Sequence, residues 1–106
     1  MHKLRLNPLV LKDLKAIKQY ISVELDNPTS ARKIVADIIE AYEKLQDFPL
    51  IGASLSSKID ITTDYRFLVC GNYLIFYKCD NEYVSIYRIL YAKRDYLNIL
   101  FTDETE

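Results

Sequence analysis

The residues of this chain with chemistry to offer are its arginines, lysines and tyrosines. Arg66 opens a strand-like run, "YRILYAKRDY" (residues 87–96) ends another with Lys93 and Arg94, and Tyr73, Tyr77, Tyr83, Tyr87, Tyr91 and Tyr96 stand between or beside them. Guanidinium and ammonium groups supply fixed positive charge, and arginine adds a planar fork that matches a phosphate. Tyrosine supplies a flat ring for stacking on a base or packing on a protein, with a hydroxyl that donates or accepts. The net charge is −1, from 14 Lys and Arg against 15 Asp and Glu. Such a balance argues against broad affinity for nucleic acid, so the cations point to one docked target recognised locally.

Other chemistries have little to work with. His2 is the single histidine, and Cys70 and Cys79 sit in apolar runs without CxxC spacing. They read as buried thiols, and no metal or cofactor is expected. No apolar run approaches the roughly 18 residues of a membrane-spanning helix, and "MHKLRLNPLV" lacks the apolar stretch of a secretory signal, so a cytoplasmic protein with no membrane partner is expected. At 106 residues the chain is expected to be one domain, 1–106, around one core.

The elements that must carry these residues follow from periodicity. "KLRL" (residues 3–6) alternates polar and apolar side chains and reads as a short strand. Asn7-Pro8 and Asn27-Pro28 each read as an N-cap followed by proline at the first helical position. Val10, Leu14, Ile17, Ile21 and Leu25 then recur at helical spacing, as do Ala31, Ile34, Val35, Ile38, Tyr42 and Leu45. Two amphipathic helices joined by a short link form an antiparallel hairpin. Pro49 and Gly52 end the second helix. Residues 53–64 read as a loop with a little strand near Ile59 to Ile61.

From Tyr65 the period becomes two, and "YRFLV", "NYLIFYKC" and "YVSIYRILY" form a three-stranded antiparallel meander. The expected fold is therefore α+β: an N-terminal strand, then a helical hairpin packed on an antiparallel sheet. A two-residue turn at Cys70-Gly71 would set Arg66 opposite Ile75 and Leu68 opposite Tyr73, and a three-residue turn at Asp80-Asn81-Glu82 would set Tyr77 opposite Ser85. One face then collects Phe67, Val69, Leu74, Phe76, Val84, Ile86 and Leu90 to cover the helices. The other, open to water, collects Arg66, Tyr73, Tyr77, Tyr83, Ser85, Tyr87, Ile89 and Tyr91. Arg88 falls on the core side, where pairing with a helix carboxylate at the sheet's margin is expected.

This order of elements, with the Tyr65-Arg66 strand opening, Gly71-Asn72-Tyr73 at the hairpin, Tyr77, and Arg88-Ile89-Leu90 followed by Lys93-Arg94-Asp95, resembles the RelE/ParE superfamily of toxins from type II toxin–antitoxin modules. The resemblance implies a β-α-α-β-β-β fold with a short C-terminal helix. It also implies growth inhibition and a cognate antitoxin that wraps a partly helical segment over the toxin.

Two activities are implied by two branches, and messenger-RNA cleavage is the expected one, with gyrase inhibition as the alternative. In the RelE-like branch the toxin enters the ribosome and cleaves messenger RNA by attack of a 2′-hydroxyl on the adjacent phosphate, with no metal, and cations stabilise the developing charge. Carried over by position, Arg66 and Arg94 would be catalytic, with Tyr91, or else Tyr96, standing in for a late tyrosine, while Tyr73, Tyr77, Tyr87, Lys93 and Tyr96, on or beside the open face, would hold substrate. Leu68 and Tyr73 stand where that branch has further basic residues, and Leu100 or Phe101 where it has a late tyrosine. The ParE-like branch inhibits DNA gyrase and needs no nuclease constellation; "RILY" resembles its ending, with Tyr91 in place of a histidine. An inactive toxin fold kept as an interaction module is the third reading. The apolar segment containing Leu97, Leu100 and Phe101 is expected either to pack back on the helices or to belong to the antitoxin interface.

Overall fold

In the computed structural model, which describes residues 1–102, the punctuation read from the sequence is used as expected. Residues 103–106 of the expected single domain lie outside the described residues. Strand β1 (Lys3–Leu6) leads into helix α1 (Pro8–Gln19), whose N-cap Asn7 accepts the Leu9 amide at 2.9 Å. Helix α2 (Pro28–Glu43) starts in the same way, with the Asn27 side chain accepting the Ser30 amide at 3.1 Å. Each cap satisfies a backbone donor that the first helical turn leaves without a partner.

Between the helices, α1 widens into a π turn at Tyr20–Glu24, and Asp26 takes a positive φ of 50° before the second cap. The widened turn adds a residue to the helical repeat. Leu25 consequently leaves the apolar stripe in which its spacing placed it, and it is 56% exposed.

The strands β2 (Ala53–Ser54), β3 (Arg66–Cys70), β4 (Tyr73–Cys79) and β5 (Tyr83–Tyr91) complete a sheet in the order β1-β5-β4-β3-β2. The meander is antiparallel as expected, but β1 runs parallel to β5, because the hairpin carries the chain across the sheet before the meander returns beside β1. The small strand before the meander lies at Ala53–Ser54, pairing with Phe67 and Arg66, and not near Ile59. Helix α3 (Tyr96–Thr102) ends the described chain.

The register corrects the expected faces. The first turn is Gly71-Asn72, with Gly71 at φ +58°, so Arg66 pairs with Tyr77 and Cys70 with Tyr73. The slide is by two residues, and parity along β3 and β4 is kept. On β5, Tyr77 pairs with Ile86 but Phe76 with Arg88, so Tyr87 is an extra residue opposite the step from Phe76 to Tyr77. Such a bulge exchanges the faces of the residues on its two sides.

Both faces of the sheet are covered. The hairpin packs Val10, Leu14, Ile17 and Ile38 against Ile75, Tyr77, Val84, Ile86 and Ile89. On β4, and on β5 beyond the bulge, this is the face that the strand pattern assigned to water, whereas Val84 and Ile86, before the bulge, lie under the hairpin as expected. The Phe67, Leu74, Phe76 and Leu90 face, expected under the hairpin, is covered by Leu55, Tyr65, Leu100 and α3. Alternation read on a half-buried sheet cannot tell which face the helices take when each face has a cover. Each large apolar side chain wholly buried on either face contributes on the order of 1.5–3 kcal/mol.

Candidate target-binding groove

Where the tip of the hairpin stands over the end of the sheet, the two layers part and leave a groove of about 650 Å³. Its floor is apolar, made by Ile17, Ile21 and Ile34 from the hairpin and Ile89 from β5. The rim is polar and aromatic: Tyr20, Asn72, Tyr73, Tyr91 and Arg94. An apolar concavity edged by a few converging polar groups is the usual form of a binding site.

The rim is positioned by the strand ends. Tyr73 and Tyr91 are register partners on β4 and β5, and their rings meet edge to face with centroids 5.8 Å apart. Beyond β5, Ala92 donates its amide to the Asn72 carbonyl, and Arg94 donates to the Tyr91 carbonyl in a tight turn that lifts Lys93 and Arg94 to the surface. Burial first, and then the neighbouring Tyr91 and Tyr20, push the Tyr73 phenol above its ordinary value of 10.0. At neutral pH it is a hydrogen-bond donor, not a base.

The sequence-derived site residues separate into groups. Tyr73, Tyr91 and Arg94 come together at the groove, with Lys93 exposed beside them. Tyr87 and Tyr96 lie on the opposite face. Tyr87 meets Tyr65 at 5.5 Å under the Lys78 ammonium, and the Tyr96 ring lies 5.3 Å from that of Phe76. Tyr77 is removed from the substrate-holding set: it is wholly buried, and its hydroxyl donates to the Pro49 carbonyl at 2.8 Å while accepting the Gly52 amide at 3.1 Å. A ring enclosed beneath the hairpin has no surface to offer a ligand.

Arg66 also has structural partners. Its Nη2 donates to the carbonyls of Leu50 and Gly52, and its buried Nε has no hydrogen-bond partner among the described residues. It stands at the far end of β3 from Cys70, which pairs with Tyr73. Four residue steps along β3, about 13 Å at the usual rise, separate it from the end of the strand nearest the groove. The structure therefore does not bring Arg66 and Arg94 to one phosphate.

In the C-terminal segment, Leu100 is buried against the sheet and Leu97 packs beside it, while Phe101 meets Tyr65 edge to face at 5.9 Å. The segment thus packs on the second face of the sheet and not on the helices, where one of its two alternatives placed it. Arg88 pairs with a helix carboxylate as expected, Nε to Asp13 Oδ2 at 2.9 Å and Nη2 to Oδ1 at 3.0 Å. The sequence reading had no place in the site for Tyr20, Asp13 or Ile34. Tyr20, a large ring next to the hairpin tip and outside the α1 stripe, was the available signal.

Against known proteins, a family model described as "ParE toxin of type II toxin-antitoxin system, parDE" matches residues 4–96. The chain belongs to the ParE toxin family. A solved structure described as "Chromosomal ParDE TA system from P. aeruginosa" has the same fold, with 26% sequence identity, a TM-score of 0.73 and coverage of 88% of this chain and 98% of that one. No curated protein matches the chain. The RelE/ParE resemblance is thereby confirmed at the level of family and fold, and this ParE-family chain is read as the toxin of a type II toxin–antitoxin system. Among the described residues, no helix is long and apolar enough to cross a membrane.

Proposed function

We propose that this ParE-family toxin stops growth by docking on a protein target, DNA gyrase, and that its groove is where a cognate antitoxin competes or covers. The observation that carries the reading is the separation of Arg66 from Arg94: one cation is spent on the Leu50 and Gly52 carbonyls, the other stands at the groove rim. Cleavage of RNA by 2′-hydroxyl attack needs several cations around one phosphate and a proton acceptor within reach. Tyr73, held protonated by burial and its tyrosine neighbours, stands beside Tyr91 as a donor and adds no acceptor. Docking needs only complementary shape, and the apolar floor with aromatic anchors on its rim is suited to it.

The antitoxin that accompanies the toxin in this reading presents an amphipathic segment, its apolar side chains on the Ile17, Ile21 and Ile34 floor and an acidic group at Arg94. The ribosome-dependent reading is supported by the shared position of Tyr91 and Arg94 on one rim.

The test is expression without antitoxin. Growth arrest with an induced SOS response, and inhibition of supercoiling by purified gyrase, is the expected result. Codon-phased cuts in cellular messages, found by primer extension, would replace this reading with the RelE-like one, and unimpaired growth would leave the inactive interaction module.

A further inference from the structure

We propose that Asp13 is the positioning residue of the groove: its carboxylate stands in for a missing edge strand along the second half of β5 and, through Arg88, sets how far the hairpin stands from the sheet. The inference rests on the groove being the recognition surface, as proposed above, and not on the identity of the target.

The need for such a residue follows from the topology. β1 pairs with β5 from Tyr83 only as far as Ile86, and the last main-chain bond between them runs from the Asn7 amide to the Ile86 carbonyl. At that point the chain turns into α1. The next residue of β5, Tyr87, is the bulged one, so the strand loses its outer neighbour where its inner ladder is also interrupted. The amide of Ile89, two residues beyond the bulge, then donates at 2.9 Å to Asp13 Oδ2 from the middle of α1. An exposed strand edge would bond to water here; a carboxylate takes that role instead.

The same carboxylate holds Arg88 through both oxygens, with side chains only 15% and 11% exposed for Arg88 and Asp13. Away from water a bidentate pair is geometrically demanding, and its loss removes the carboxylate that faces a largely buried guanidinium. Asp13 and Ala16 belong to one wall of the groove, and Ile89 and Tyr91 to the other. The Asp13 carboxylate is thus a polar tie between the walls. Because it fixes both a backbone amide and the side chain preceding it, it specifies the place of β5 as well as its separation from α1. Tyr91 and the Lys93-Arg94 turn follow within a few residues and inherit that placement.

The experiment compares the wild type with Asp13→Asn and with Ile38→Val. Asparagine keeps an acceptor for the Ile89 amide in nearly the same volume but cannot neutralise Arg88. Ile38 is wholly buried in the core under the hairpin, so its trimming reports lost stability alone. In inducible expression without antitoxin, the inducer dose that arrests growth should rise about tenfold or more for Asp13→Asn. Ile38→Val, compared at a growth temperature raised until its folded fraction matches that of Asp13→Asn, should stay near the wild-type dose. In purified protein, hydrogen exchange at the Ile89 and Tyr91 amides should quicken in Asp13→Asn relative to the rest of the sheet, a readout that needs no target. Arrest by Asp13→Asn at the wild-type dose, an equal loss in Ile38→Val, or unchanged exchange at those amides would each overturn the proposal. Absence of gyrase inhibition by the wild type would count against the proposed target and leave the exchange result standing.

Discussion

The Tyr77 hydroxyl stands over Gly52 so closely that a Cβ built there would lie 2.5 Å from it and 2.6 Å from the Phe67 carbonyl oxygen. With that contact the phenol holds both ends of the 49–52 turn, donating to Pro49 and accepting from Gly52. Tyr77→Phe removes the oxygen and leaves two main-chain groups without partners, which costs about 1–3 kcal/mol. Denaturant unfolding should show this as a lower midpoint at unchanged slope. Growth arrest per folded molecule should stay intact, since Tyr77 touches no ligand.

Gly52→Ala meets the same oxygen from the other side. One of the clashing atoms is backbone, so the neighbour cannot swing away, and overpacking of this kind costs about 1–3 kcal/mol. The double variant Gly52→Ala with Tyr77→Phe should be less destabilised than the sum of the singles, because the phenol oxygen is removed from one of the clashes. Additive losses in a double-mutant cycle would refute this account of the contact.

Arg94→Ala separates binding from folding. The residue is exposed at the groove rim, so stability should change by no more than about 0.5 kcal/mol. Growth inhibition should fall steeply. Arg66→Ala should behave in the opposite way: the Leu50 and Gly52 carbonyls lose their donor, thermal stability drops, and the activity of what remains folded persists. Equal loss of activity in both variants at full stability would instead support a shared catalytic role.

The pH profile of stability should fall at high pH. Tyr73 and Tyr42 are held above their ordinary value of 10.0 chiefly by burial, and burial likewise raises Cys70 above 9.0. The folded state therefore keeps these protons longer than the unfolded chain. Their contribution is complete below the unfolded values and is lost as pH rises through about 9 to 10 and beyond. Tyr73→Phe should flatten the alkaline limb of a melting-temperature profile; an unchanged limb would show that Tyr73 does not contribute to it.

Much of this fold was legible because local chemistry fixes it. Asn7-Pro8 and Asn27-Pro28 cap their helices with the bonds that their spacing implied. The meander declared itself by alternation, and the family resemblance by Arg88-Ile89-Leu90 and the basic pair after it. The site was less legible. The groove exists because two elements distant in sequence, the hairpin tip at Tyr20–Glu24 and the ends of β4 and β5, meet there. Nothing in the local pattern of either one announces the other.

Residue types and periods, by themselves, determined that this chain has two capped amphipathic helices, a C-terminal meander and a local concentration of cations and tyrosines, since each depends on interactions within a few residues. Which tyrosines reach the groove was decided only by the tertiary structure. A single extra residue at Tyr87 exchanges faces along β5, and α3 covers the second face of the sheet. Parity along a strand is a local property, but what covers each face is not, and so Tyr77 is enclosed while Tyr73 and Tyr91 reach the rim.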